Sequence, residues 1–102
     1  MAMLIAIYNQ PVDQAAFDQY YFEKHVPLAK TIPGLRSYEV SKDNVMGMGG
    51  KHDAYLVALL EFDSLAAIGE AMASPQGQAT AADLATFAGA GFDVMMSDTR
   101  QV

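Results

Sequence analysis

Cysteine and tryptophan are absent from these 102 residues, and histidine occurs only twice. Without a thiol there is no disulfide framework, no thiolate metal site and no thiol nucleophile, which fits a reducing compartment and gives the cytoplasm as the expected location. Cations are scarce as well: six Lys and Arg stand against twelve Asp and Glu, a net charge of −6. Such a balance repels phosphate backbones and anionic bilayers unless the few cations converge, and nothing in the sequence clusters them. No apolar run approaches the ~20 residues that span a bilayer. The apolar residues 1–8 have no cationic stretch before them and meet Gln10-Pro11 too early for a signal peptide. Nucleic acid and membrane are therefore not expected partners.

What the chain has is carbon. Hydrophobic residues make up 52% of it, too many for disorder and enough for one domain over residues 1–102, which should bury roughly 60–70% of its unfolded surface. Residues 2–9 have strand composition, and Pro11-Val12-Asp13 then supplies a break and an N-cap for a helical pattern over residues 14–30. Pro27 falls inside that pattern, where it removes one backbone donor and crowds the Glu23 carbonyl, so the spacing predicts a kink or restart. Thr31-Ile32-Pro33-Gly34 ends the helix.

Residues 35–42 and 54–62 read as two strands joined by a long hairpin loop. That loop is no nucleotide cradle, because His52 takes the third glycine position of G-x-G-x-x-G and a strand follows it. Asp63-Ser64 offers a second N-cap, for a helix with Leu65, Ile68 and Met72 on one stripe. A second short helix covers residues 76–87, and residues 92–98 form the last strand. The order βαββαβ predicts an α+β, ferredoxin-like fold: a four-stranded antiparallel sheet with its helices on one face, since both crossovers are right-handed.

Met3, Ile5 and Ile7 against Leu4, Ala6 and Tyr8, and Tyr55, Val57 and Leu59 against Leu56, Ala58, Leu60 and Phe62, are apolar on both strand faces, the pattern of strands buried front and back. One chain covers only one face. The other would leave several hundred Å2 of apolar surface in water, which predicts a sheet-to-sheet homodimer forming an α+β barrel.

Chemistry centres on one imidazole. Phe17, Tyr21, His25 and Leu28 fall at i, i+4, i+8 and i+11 of the helix, placing His25 in an apolar and aromatic stripe just before Pro27. An imidazole exchanges protons near neutral pH, and Tyr21 one turn earlier is placed to orient or share that proton. The competing role is a structural histidine bonded to backbone near the kink. Arg36 and Tyr38 share a strand face by i, i+2 alternation and are candidates to hold a carboxylate or enolate oxygen, against the plainer reading of a surface pair. Phe22, Phe62 and Met96 either line the pocket beside the histidine or fill it. No metal site is expected, as His25 and His52 lack ligand spacing.

Phe17, Tyr20, Tyr21, His25, Pro27, Leu28 and Pro33-Gly34-Leu35, then Phe62-Asp63-Ser64, Ala73-Ser74-Pro75, Gly77-Gln78, Phe87-Ala88 and Gly91, resemble the EthD family, named for an accessory protein of ethyl tert-butyl ether degradation. The resemblance implies a dimeric α+β barrel. Its wider superfamily includes cofactor-free monooxygenases, aromatic polyketide cyclases, lactone isomerases and haem proteins. Two functions follow as expectations. One is cofactor-free acid-base chemistry of isomerase, cyclase or monooxygenase type on a small, largely apolar, oxygenated molecule, using His25; haem is the less favoured variant. The other is a non-catalytic accessory module in which His25 is structural.

Overall fold

Alternating burial along Ala2–Asn9 (β1) marks a strand with one face sealed and the other half-covered. The computed structural model describes residues 1–102, Lys51 by its backbone alone. After β1 come α1 (Gln14–Tyr20), a wide helical turn at Tyr21–His25, α2 (Val26–Ala29), β2 (Ser37–Val40), the short strands β3 (Met46–Gly47) and β4 (Gly50–Lys51), β5 (Ala54–Phe62), α3 (Leu65–Ala73), α4 (Pro75–Phe87) and β6 (Phe92–Asp98). The main sheet has the order β2-β5-β1-β6, every neighbour antiparallel. This is the ferredoxin-like arrangement, α+β with its helices on one face.

Helices α1, α3 and α4 begin on side chains suited to the task. Asp13 accepts from the Ala16 N–H, Ser64 from that of Ala67 and Ser74 from that of Gly77, all at 3.0 Å. Pro75 follows Ser74 at the first position of α4, where its missing donor costs nothing. Gly77 sits where α4 turns against α3: a Cβ there would strike the Ala71 carbonyl and come within 2.7 Å of the Met72 Cα, so only glycine fits.

Pro27 acts as expected but through a specific device. It has no N–H for the Glu23 carbonyl, and the helix answers by widening, so that the Val26 N–H reaches back five residues to the Tyr21 carbonyl. The widening also corrects the inward stripe. In a regular helix residues four apart drift by ~40° per step, which favours Leu28 as the fourth inward position; the underwound turn keeps the four-residue spacing in line. Phe17, Tyr21, His25 and Ala29 are buried, whereas Leu28 is half-buried. The second strand is shorter than residues 35–42 suggest, because Gly34, at φ +81°, turns the chain and pairing holds only from Ser37 to Val40.

The core lies between sheet and helices: Leu4, Ala6, Tyr8, Leu56, Ala58, Leu60 and Phe62 from the strands meet Phe17, Tyr21, Ile68 and Ala71. A bulge where Tyr8 gives way to Asn9 turns Tyr55 towards α1, and its hydroxyl donates to Asp18 at 2.9 Å. The remaining sheet face carries Met3, Ile5, Ile7, Val57, Leu59 and Met95, in register across three strands and covered by nothing in the chain. The molecule is a slab of 34 × 34 × 18 Å, one sheet and one helical layer thick. Among the described residues no helix is long and apolar enough to cross a membrane.

Candidate functional site

The wide turn aims His25 at the space between α2, α4 and the sheet. Its residue is only 3% exposed. Nδ1 lies 2.9 Å from Oδ2 of Asp83 on α4, and Oδ1 of Asp83 accepts from the Tyr20 hydroxyl at 2.6 Å. The Tyr20–Asp83–His25 relay thus ties the wide turn to α4. Phe87, one turn beyond Asp83, packs on the imidazole at 4.6 Å between ring centroids and fixes its plane.

An ionised carboxylate only accepts, so the bond to Asp83 selects the tautomer with hydrogen on Nδ1 and leaves a lone pair on Nε2. Burial pushes the His25 pKa below its ordinary 6.5, and the bond and charge of Asp83 oppose that push without overcoming it. The ring is therefore neutral at pH 7, a base and not an acid. Nε2 has no protein partner among the described residues, and the ring borders open space.

That space is a cavity of about 350 Å3, bounded by His25, Ala29 and Ile32 on one side, Thr80 and Leu84 of α4 on another, and Leu4, Ala6, Tyr8, Tyr38, Ala58 and Leu60 of the sheet. Phe92 and Val94 of edge strand β6 form part of its wall and are partly exposed, so the cavity opens towards that edge. Tyr38 and Tyr21 share a hydroxyl–hydroxyl bond of 2.6 Å. Burial raises the pKa of Tyr8, Tyr21 and Tyr38, which keeps all three phenols protonated near neutral pH and able to donate.

Of the residues singled out from sequence, His25 and Tyr38 line this cavity and Tyr21 backs it through its bond to Tyr38. The other four stand elsewhere. The Arg36–Tyr38 clamp does not form: Arg36 precedes β2 and makes a two-pronged ion pair with Asp63, at 2.8 and 3.1 Å, both side chains 60% exposed. Phe62 is fully buried in the core. Phe22 is exposed beyond Tyr21, its ring edge-on at 5.2 Å, and Met96 is exposed on β6 past the cavity wall. Asp83, Thr80 and Phe87 were not singled out. For Asp83 a signal existed, since it is the one charged residue of α4; a lone acid in a helix otherwise free of charge is a candidate partner for a buried cation or imidazole.

Comparison with known proteins agrees with this architecture. A family model described as the EthD domain matches residues 9–91. An uncharacterized 11.0 kDa protein of the thcB-thcC intergenic region in Rhodococcus erythropolis is 41% identical over 102 residues, which is all of this chain and 98% of that protein. The crystal structure of an EthD family protein from Bacillus halodurans superposes with a TM-score of 0.88 at 36% identity, covering 98% of this chain and 99% of that one. SnoaB of Streptomyces nogalater, described as a cofactor-independent oxygenase, shares the fold with a TM-score of 0.69 at 16% identity, covering 99% of this chain and 94% of that one.

Proposed function

The chain belongs to the EthD family, and from that membership and its cavity we propose that it binds a small, largely apolar, oxygenated organic molecule between sheet and helices. His25 then serves as general base at a carbon next to a carbonyl, and the protonated phenol of Tyr38, backed by its bond to Tyr21, holds the oxygen on which negative charge develops. One observation carries the reading: a buried imidazole that lines an apolar cavity of about 350 Å3 has one nitrogen bonded to Asp83 and the other without a protein partner among the described residues. The reaction class is cofactor-free isomerisation, cyclisation or monooxygenation, and the description of SnoaB as a cofactor-independent oxygenase on the same fold supports it. The working unit is a homodimer joined through the bare sheet face, in the cytoplasm. Neighbours of the same fold from Bacteroides fragilis and Thermobifida fusca are described as dimeric.

The apolar wall of the cavity also supports a second reading, an accessory that holds an apolar intermediate without transforming it. Both readings need an occupied cavity. Ala81 of α4 lies on its wall and is exposed, so Ala81→Trp should fill the mouth with little strain on the core. Calorimetric titration with β-naphthol should give saturable binding at one site per chain in the wild type and lose it in Ala81→Trp, with an unchanged circular dichroism spectrum. Equal binding by both proteins would place the ligand outside the cavity and remove both readings.

A further inference from the structure

The cavity also specifies the charge and the hydrogen-bonding pattern of its occupant, an inference that rests on the binding reading above. Its polar atoms are few. The Thr80 hydroxyl is spent on the Gln76 carbonyl at 2.8 Å, so it offers a ligand only a lone pair. His25 Nδ1 is committed to Asp83, which leaves Nε2 as a second acceptor. Tyr8, Tyr21 and Tyr38 form a chain of phenols in which Tyr21 bonds to both of the others, so three O–H protons serve two bonds and one remains to be donated from the wall, where Tyr8 and Tyr38 stand. The other side chains on the wall are apolar, and no Lys or Arg is among the lining residues.

An anion entering here meets two lone pairs, the Asp83 carboxylate behind the imidazole, and no cation, and a charge buried in such a place has nothing to offset the loss of its hydration. An uncharged ligand with a carbonyl towards the phenols and a hydrogen towards the imidazole meets a donor and an acceptor in the right places. Size narrows the choice further. A cavity of ~150 Å3 takes one benzene ring, and this one, at about 350 Å3, is large enough for two fused rings.

We propose that the cavity selects a neutral two-ring ketone carrying an acidic C–H next to its carbonyl, and rejects carboxylates of the same shape. In the step this allows, the C–H bond breaks, its proton passes to His25 Nε2, and its electron pair becomes an enolate oxygen that accepts the free phenolic O–H. Return of a proton to carbon restores the ketone, so no oxidant or reductant is consumed.

β-Tetralone, β-naphthoate and tetralin test this in the wild-type protein by calorimetry. β-Tetralone should bind about tenfold or more tighter than either of the others, the carboxylate losing by charge and tetralin by its missing oxygen. In D₂O the protein should also catalyse deuterium incorporation next to the β-tetralone carbonyl. Binding of β-naphthoate as tight as that of β-tetralone, or of tetralin as tight as either, would overturn the selectivity while leaving the cavity a binding site. Failure of all three to bind would instead sink the binding reading itself. Asp83→Asn provides a second reading in a folded variant: the penalty against β-naphthoate should shrink, and an unchanged penalty would contradict the role given to the Asp83 charge.

Discussion

His25→Asn should lower the rate of proton removal from β-tetralone by roughly 10²–10⁴-fold, the usual worth of a positioned general base. Asparagine keeps a polar group in the space between Tyr21, Phe87 and Asp83 but presents no basic lone pair to the cavity. The loss should appear mainly in the rate, because the apolar residues that make up most of the wall are unchanged. In the wild type the rate should rise with pH as the imidazole loses its proton, through a midpoint below 6.5, since burial disfavours the charged ring. Deuterium exchange followed by mass spectrometry reads both effects, and circular dichroism checks the fold. Exchange undiminished in His25→Asn would take the imidazole out of the chemistry and leave the accessory reading.

The second large effect concerns assembly. Ile5 stands at the centre of the bare sheet face, paired across the ladder with Leu59 on one side and Met95 on the other. Ile7 and Val57 extend this apolar middle, while Glu39, Glu61, Asp93 and Ser97 surround it, the pattern of an apolar core with a polar rim. A two-fold axis through that face brings each substitution in twice. Ile5→Lys therefore buries two unpaired ammonium groups at the centre of the interface, at several kcal/mol each, and should weaken dimerisation by about 10³-fold or more. Sedimentation at micromolar concentration should find a dimer for the wild type and a monomer for Ile5→Lys. Met48→Lys, at a fully exposed position on the small hairpin, should leave the dimer intact. A wild-type protein that sediments as a monomer would contradict the barrel.

Much of this fold is legible in the sequence because its signals are local. Asp13 and Ser64 mark helix starts by their own hydrogen bonds to the next turn, and the double-sided apolar pattern of β1 and β5 marks them as the central pair. Pro27 announces an irregular helix, but the form it takes, one widened turn that keeps Ala29 inward in place of Leu28, depends on what the helix packs against. The site was readable in the same proportion. His25 stands out through its position in an aromatic stripe, whereas its partner Asp83 is 58 residues away along the chain and joins it only when α4 lies across the wide turn. Arg36 misled for a related reason: i, i+2 alternation assumes an extended strand, and the strand begins one residue later, leaving Arg36 free to pair with Asp63.

Nitrogen NMR of His25 across pH tests the account most directly, because it reads which ring nitrogen carries the proton and where the ring titrates. The structure predicts hydrogen on Nδ1, a lone pair on Nε2 that responds to β-tetralone, and a midpoint below 6.5. A neutral ring with its hydrogen on Nε2 would leave no base facing the cavity and would contradict the proposed chemistry, and a midpoint above 6.5 would contradict the effect ascribed to burial.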